Sequence, residues 1–427
     1  MRIGRLHVEN FRSYRVVDVQ LGAFNILLGQ NASGKSSFVD ILKFLRDISH
    51  NGLDNAISMS GGTEFLRNLC TDTAEPMRVS ASVEGKYVLP LMPVKEGRRR
   101  IERMLTASEA IFDFEIQFNK RGDGFRVLSD KATYPCALYH QRRINNKWVE
   151  DPEPVAKGRF VASVRRGKIH FEVEQTQGQF PLLDDLESYW FLRRRIASRD
   201  ALMLQLGSTP FWTDVPGPSS IFDVAVYDFD VKLPKRAVPA TGRLQLEEDG
   251  SNLAIVVQRI VRDRESRRRF INLCQLLLPF VQGVDVERVA GRSFMLRLRE
   301  SFAAKKSIPA TFLSDGTISM LALIVAIHFQ SRPIVVLEEP ERNIHPSLMS
   351  RVLSMLREAS TGKQILLTTH NPEIVRHAEL SEILLASRGS DGCSSISRPG
   401  EDSEVRTFLE NEVGLDEVFI DDLWGEV

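Results

Sequence analysis

The chain has few cysteines and no long hydrophobic run, and both absences narrow the classes of protein it could be. Cys70, Cys136, Cys274 and Cys393 lie far apart in 427 residues, without a Cys-x-x-Cys pair. That spacing disfavours a disulfide framework or a zinc knuckle and favours a reducing compartment. No apolar run approaches the roughly 18 residues that a membrane-spanning helix needs, and the N-terminus lacks a signal-peptide core. We therefore expect a soluble, cytoplasmic protein without a membrane partner.

Net charge and long-range periodicity are also absent. Lys plus Arg and Asp plus Glu both number 56, so the molecule as a whole is not drawn to nucleic acid or to an acidic surface. No heptad pattern is sustained, which excludes a long coiled coil. Hydrophobic residues make up 43 % of the chain, enough for a sizeable core. The length allows two or three domains, or one large domain with insertions.

A phosphate-binding loop (P-loop) is predicted near the N-terminus. Gly29–Ser36 reads GQNASGKS, which matches GxxxxGK[ST]. It follows the apolar run Phe24–Leu28, typical of a buried parallel strand, and precedes apolar residues at helical spacing. In this context backbone N–H groups and a helix N-terminus bind phosphate, Lys35 reaches the β- and γ-phosphates, and Ser36 ligates Mg²⁺. A plain glycine-rich turn is the alternative, which the strand–loop–helix context disfavours.

Two glutamates and a histidine follow two later apolar strands. Ile334–Leu337 runs into Glu338 and Glu339, and Ile365–Thr369 runs into His370. Parallel sheets gather such strand ends at one edge. We assign Glu338 to the metal, Glu339 to the base that polarises water, and His370 to the γ-phosphate. Taken alone, the two glutamates could be an ordinary acidic strand end, and the histidine could be a structural capping residue.

A short polar segment opens a helix that is apolar nearly all round. Leu313–Thr317 reads LSDGT and lies shortly before the Glu338 strand. Ser314 and Gly316 can offer a hydroxyl and N–H groups to an anion. A simple helix cap would have the same sequence, so the position of the segment relative to the other motifs decides its interpretation.

In order, these motifs resemble the ABC-type ATPases, and in detail the RecF/SMC-like branch of AAA family ATPases, which includes the heads of OLD-type proteins. The residues that carry this resemblance are NFRS at 10–13, GSNLA at 250–254, LSDGT at 313–317 and EEPERNIHP at 338–346. It covers roughly residues 1–70 and 245–385.

The resemblance implies an α/β P-loop NTPase fold, an ABC-type head with a mixed or parallel sheet. The residue patterns between its two matched parts predict a β-rich N-terminal lobe and a helical insertion. We place the first lobe at 1–175, the insertion at 176–245 and the second lobe at 246–427. Alternating residues predict strands between Met77 and Glu174, and a charged helical pattern covers Pro181–Asp200. A helix is expected from Gly250 through Val281, followed by a strand pair near 286–298.

The resemblance also implies a head-to-tail homodimer, or a higher homo-oligomer, with two ATP molecules in its interface. Asn343 and His345 would lie in a loop that crosses this interface. Glu338 replaces the more usual Asp at the metal position, and the Q-loop residue is undecided between Gln117 and Gln141. The predicted nucleotide ligands are Arg12, Gly29, Asn31, Ser33, Gly34, Lys35, Ser36 and Ser37 of one subunit and Ser314 and Gly316 of the other, with Mg²⁺ on Ser36 and Glu338.

The expected function is an ATP-hydrolysing switch that controls DNA or a separate effector protein, in antiviral defence or DNA repair. In a chain of 427, only 57 residues follow His370, too few for the Toprim nuclease of OLD-type proteins. The alternative is a nucleic-acid-binding scaffold with a regulatory nucleotide site and little turnover. A transporter subunit is disfavoured by the LSDGT and NFRS motifs, and a GTPase by the lack of NKxD. The basic clusters that could contact phosphates, or pair with nearby acids, are Lys95–Arg103, Arg193–Arg195 and Arg262–Arg269.

Overall fold

The structure is a computed structural model that describes residues 1–68, 75–96, 99–119, 124–144, 147–165, 167–178, 201–206, 212–213, 222–289, 291–303 and 306–399. The predicted helix at Pro181–Asp200 and the cluster Arg193–Arg195 lie outside these ranges. The chain divides into two compact units, and the predicted domain borders stay predictions. The first unit contains Met1–Leu21, Ser36–Asp223 and Arg388–Ile396, and the second Gly22–Lys35, Val224–Ser387 and the chain from Ser397.

Strands and helices follow the sequence patterns in order. The strands are β1 (Arg2–Phe11), β2 (Tyr14–Gln20), β3 (Phe24–Leu28), β4 (Met77–Glu96), β5 (Arg99–Phe118), β6 (Phe125–Ile144), β7 (Lys147–Glu150), β8 (Ala156–Arg165), β9 (Lys168–Gln177), β10 (Trp212–Thr213), β11 (Val224–Tyr227), β12 (Val238–Pro239), β13 (Val281–Val289), β14 (Ser293–Glu300), β15 (Ser307–Pro309), β16 (Ile334–Glu338), β17 (Gln364–Thr369), β18 (Ile383–Arg388) and β19 (Ser394–Ser397). The α-helices are α1 (Lys35–Asn51), α2 (Leu53–Met59), α3 (Thr63–Leu66), α4 (Leu253–Arg262), α5 (Arg264–Leu277), α6 (Asp315–His328), α7 (Met349–Ser360) and α8 (Pro372–Val375).

The second unit is built on a parallel sheet in the order β11-β16-β17-β3-β18. Every residue of β3 and β17 is buried, including the polar residues Asn25, Gln364, Thr368 and Thr369, as expected of central strands in a parallel sheet. The register pairs Glu338 with Thr368 and Thr369 with Leu28. The strand ends that precede the P-loop, Glu339 and His370 therefore share one edge of this sheet, where parallel sheets place ligand-binding groups.

The first unit is built on antiparallel pairing, in the order β19-β2-β1-β4-β5-β6-β8-β9, with only β19 running parallel to its neighbour β2. The predicted strands between Met77 and Glu174 are confirmed, although β4, β5 and β6 each span 20 residues, far more than the alternating segments indicated. Together the two units give the mixed parallel and antiparallel pairing of the predicted α/β fold.

Helices and a small antiparallel sheet, β12-β14-β13 with β15 on β14, complete the second unit. Helix α6 buries every residue from Thr317 to Ile327, which explains its uniformly apolar sequence. The helix predicted to extend through Val281 instead ends at Leu277, because Pro279 cannot continue it.

Among the helices that the structure describes, none is both long and apolar enough to cross a lipid bilayer.

Candidate active site

The loop after β3 has the conformation that phosphate binding requires. Ala32 (φ 65°) and Gly34 (φ 110°) adopt left-handed backbone. Gly29 cannot carry a side chain, because a Cβ there would lie 2.5 Å from both the carbonyl oxygen of Ala386 and Oγ of Ser33. The Ser33 hydroxyl is buried and has no hydrogen-bond partner within the described residues. A buried donor without a partner and a close backbone turn both fit a phosphate group.

The Lys35 side chain folds back onto the loop that precedes it. Its Nζ donates to the carbonyl oxygens of Gly29 (2.6 Å) and Gln30 (2.7 Å). Burial lowers the pKa of Lys35, and the nearby carboxylates of Glu339 and Glu341 oppose that shift. The ammonium thus already lies among acceptors that a triphosphate could replace, as the P-loop motif predicts for Lys35.

The other predicted P-loop ligands surround the start of α1. Asn31 and Ser36 are exposed, and Ser37 is partly buried. Ser36 and Ser37 follow Lys35 as the second and third residues of α1 and belong to the first unit. Their hydroxyls lie at a helix N-terminus, where anions and metal-bound phosphates are stabilised.

Arg12 has its partners inside the first unit. Its backbone is left-handed (φ 49°), its Nη1 donates to the Asp40 carboxylate, and its guanidinium carbon lies 5.8 Å from the centre of the Phe11 ring. Its contact with the nucleotide stays a prediction. The Q-loop candidates also lie in this unit, Gln117 on β5 and Gln141 on β6, and the choice between them stays open.

Glu339 is held at the sheet edge by two side chains. Glu338 ends β16, and Glu339 follows with left-handed backbone (φ 44°), a strained conformation that clusters at functional sites. The Glu339 Oε1 atom lies 2.9 Å from Nδ1 of His370, and its Oε2 accepts a 2.7 Å hydrogen bond from Nε of Arg342. Burial alone would raise the pKa of Glu339, but these two contacts outweigh it, and the pKa is lowered. The side chain is therefore an ionised carboxylate at neutral pH.

The run Glu338–Glu341 contains a third glutamate, Glu341. Glu341 is buried, its Oε1 accepts from the Thr369 hydroxyl, and its Oε2 has no hydrogen-bond partner in the described part of the chain. Burial raises the pKa of Glu341. The carbonyl of Thr369 accepts from the N–H of Gly29 at 3.2 Å. Glu341 is thus joined through β17 to the first residue of the P-loop.

The LSDGT segment forms the N-terminus of α6. The Ser314 Oγ accepts from the N–H of Thr317 at 3.1 Å and caps the helix. Gly316 packs closely on another loop, since a Cβ there would lie 2.5 Å from the carbonyl oxygen of Asn343. Asp315 is ion-paired with Lys235. The segment predicted to serve the partner subunit therefore contacts, within its own unit, the loop that contains Asn343.

Sequence reasoning did not assign roles to Glu341, Thr369, Arg342, Asp228 or Lys235. The run Glu338–Glu341 contains a third carboxylate, so the sequence alone could have indicated a role for Glu341. Asp228 and Lys235 belong to no motif, and only the placement of β11 beside β16 brings Asp228 within 2.8 Å of Arg342 Nη1.

The residues present fit Mg-ATP. In the described ranges no group of three or more His, Cys, Asp or Glu side chains could hold a metal ion by itself. Mg²⁺ in phosphoryl-transfer sites is instead held by one or two protein oxygens together with the substrate phosphates. The Ser36 hydroxyl and the Glu338 carboxylate are oxygen donors of this kind.

Comparison with known proteins gives partial matches. UvrABC system protein A of Lactiplantibacillus plantarum is 29 % identical over 174 residues, 40 % of this chain and 17 % of that protein. DNA replication and repair protein RecF of Trichodesmium erythraeum is 31 % identical over 106 residues, 24 % of either chain. The matched segments thus span about a quarter or less of these relatives. The SMC head domain from Thermotoga maritima superimposes over 93 % of this chain and 99 % of that one, with 14 % identity and a TM-score of 0.42.

A family model covers most of the chain. The model described as "AAA domain, putative AbiEii toxin, Type IV TA system" matches residues 24–376, a span that contains the P-loop, LSDGT, the Glu338 strand and His370. The predicted relationship to RecF/SMC-like ABC-type ATPases is confirmed by this match and by the RecF and UvrABC system protein A relatives. The OLD-type resemblance stays a prediction. The chain belongs to the AAA-domain family of that description.

Proposed function

We propose that this protein binds and hydrolyses ATP and that the nucleotide controls its assembly. The observation that carries the proposal is the ionised Glu339, held by His370 and Arg342 at the sheet edge where β3 runs into the P-loop and Lys35. A carboxylate base, a histidine and a lysine-bearing phosphate loop at one sheet edge are the parts that hydrolysis of a phosphoanhydride requires.

Each residue has a distinct part in the proposed reaction. The N–H groups of Gly29–Lys35 and the Lys35 ammonium bind the β- and γ-phosphates and orient the γ-phosphorus. Ser36 and Glu338 would hold Mg²⁺, which would supply positive charge against the phosphates. Glu339 accepts the proton of the attacking water. His370, hydrogen-bonded to Glu339, would contact the γ-phosphate and would lose that contact when the phosphate leaves.

The proposed active form is a head-to-tail homodimer or a higher homo-oligomer. Ser314 is exposed at the N-terminus of α6, and a helix N-terminus favours an anion. Gly316 and Ser314 of one subunit would bind the γ-phosphate held by the P-loop of the other. Assembly would then depend on ATP, and hydrolysis would reverse it.

The proposed output is control of DNA or of a separately encoded effector protein, in antiviral defence or DNA repair. Two observations support this setting: the family description refers to a type IV TA system, and the RecF relative is a DNA replication and repair protein.

The test compares ATP hydrolysis and solution mass for the wild type, Lys35→Ala and Glu339→Gln, each with and without Mg-ATP. We expect Lys35→Ala to lose ATP-dependent assembly and turnover. Glu339→Gln should lose turnover by about 100-fold or more yet stay assembled with ATP. Unchanged assembly and turnover in Lys35→Ala would overturn the proposal.

One observation favours the second candidate function, a nucleic-acid-binding scaffold with little turnover. Arg259, Arg262, Arg264 and Arg268 on α4 and α5 are exposed and have no ion-pair partner among the described residues. Slow or absent hydrolysis, together with DNA affinity that falls steeply with salt and with Arg262→Gln/Arg268→Gln, would favour this function over the first.

A further inference from the structure

Arg342 donates to the carboxylate oxygen of Glu339 that His370 does not contact, and its positive charge lowers the basicity of that carboxylate. His370 contacts Oε1 and Arg342 contacts Oε2. A carboxylate base needs an oxygen within hydrogen-bond reach of the attacking water. We propose that Arg342 restrains Glu339 in the resting subunit and must release it before hydrolysis. This inference rests on the proposed ATPase function and concerns the regulation of that site.

Arg342 has a second acceptor to which it can be released. Its Nη1 donates to Oδ1 of Asp228 at 2.8 Å, while its Nε remains on Glu339. The Arg342 and Asp228 side chains are 51 % and 53 % exposed, whereas that of Glu339 is only 16 % exposed. Ion pairs this exposed to water are weak and can exchange readily. Asp228 therefore keeps the guanidinium paired when its bond to Glu339 breaks.

The backbone of the Arg342 loop rests on the helix predicted to bind the partner's nucleotide. The Ser319 hydroxyl on α6 donates to the carbonyl of Arg342 at 3.4 Å. The carbonyl of Asn343 leaves no space for a Cβ on Gly316. Because Gly316 lies in the first turn of α6, a shift of that turn would displace the Asn343 carbonyl and the adjoining Arg342. Binding of a nucleotide at Ser314 would in this way release Glu339 in the same subunit.

The inference predicts opposite effects for two substitutions in one cluster. Arg342→Gln removes the restraint, and we expect kcat for ATP to rise about two- to five-fold with little change in KM. Asp228→Ala removes the second acceptor and leaves Arg342 on Glu339, so kcat should fall by a similar factor. The control is Arg376→Gln, which removes the exposed surface pair of Arg376 with Glu373 and should change neither constant.

A merely structural role for Arg342 would lower kcat in both variants, and that result would overturn the inference, as would two unchanged rates. If the wild type shows no turnover, the proposed function fails separately. The restraint is then judged by thermal unfolding of Arg342→Gln, Glu339→Gln and the double variant. Additive losses would mean that the two residues are not coupled, which overturns the restraint, whereas a non-additive loss supports it.

Discussion

The Nδ1 atom of His370 lies 2.9 Å from Oε1 of Glu339. The two residues follow neighbouring strands, β17 and β16, whose register pairs Thr368 with Glu338. Their contact therefore depends on strand pairing, since they are separated by 31 positions in the sequence. Because the histidine is more exposed than the glutamate, it lies on the open side of the pair, and it donates to a carboxylate whose pKa is lowered.

Replacing His370 should slow hydrolysis more than it weakens ATP binding. His370→Ala removes the side chain proposed to contact the γ-phosphate, and a hydrogen bond to a charged group contributes about 1.5–3 kcal/mol, which corresponds to roughly a 10- to 100-fold loss in kcat. Steady-state kinetics and nucleotide binding would measure the two effects. The exposed His377 nearby provides the control, and His377→Ala should leave both unchanged. A loss confined to ATP affinity would contradict the assignment.

Gly29 should tolerate no larger residue. An Ala Cβ at this position would meet the Ala386 carbonyl and Ser33 at 2.5 Å, and neither can move without shifting β18 or the P-loop. We expect Gly29→Ala to lower stability by about 1–3 kcal/mol and to weaken ATP binding at least tenfold. Gly22→Ala, seven residues earlier on the approach to β3, meets nothing closer than 3.6 Å and serves as the control. Urea unfolding and fluorescent-nucleotide titration would check both variants, and equal effects would contradict this account.

The sequence predicts those parts of the site that local patterns specify. Short, mostly apolar segments predict β3, β16 and β17, and the residues that follow them, Gly29, Glu338 with Glu339, and His370, are the site candidates. The parallel pairing then brings Lys35, Glu339 and His370 to one edge. These positions can be predicted from the sequence because each depends only on a strand and on the residues that directly follow it.

The sequence could not predict contacts set by tertiary packing. Asp228 is 114 residues from Arg342, and Lys235 is 80 residues from Asp315. Neither lies in a motif, and each pairing depends on where β11 and the following loop pack in the second unit. The length of β4, β5 and β6 was missed for a similar reason, because cross-strand partners stabilise segments whose own alternation is interrupted.

Replacing Glu341 and Thr369 by residues of similar shape should have very different effects on stability. Glu341→Gln keeps an oxygen acceptor for the Thr369 hydroxyl and removes a buried charge, so we expect stability within about 1 kcal/mol of the wild type. Thr369→Val removes the hydroxyl and leaves both buried oxygens of Glu341 without a side-chain donor, which should cost about 2–3 kcal/mol. Urea unfolding at neutral pH would rank the two variants. The reverse order would show that the charge of Glu341, and not its hydrogen bond, stabilises this edge.

Asp130 should make the stability of the first unit depend on pH. It is buried on β6, and although its Oδ2 accepts from the N–H of Met203 at 2.8 Å, burial raises its pKa from 3.8 to about 7. The folded protein therefore binds more protons than the unfolded chain between about pH 4 and 7. It follows that the free energy of unfolding falls as pH rises through this window and stays reduced above pH 7. The full shift corresponds to roughly 4 kcal/mol.

Asp130→Asn keeps the acceptor for Met203 and removes the ionisable group, so its unfolding free energy should be nearly flat over this window and should exceed that of the wild type at pH 8. Urea unfolding of both proteins at several pH values between 5 and 8 would measure the difference. The control is Asp113→Asn on β5, where the carboxylate is partly exposed and ion-paired with Lys131. This matched Asp-to-Asn change on a neighbouring strand of the same unit should leave the wild-type slope between pH 5 and 7 intact. An Asp130→Asn protein that retained the wild-type slope would place the pH dependence in another group.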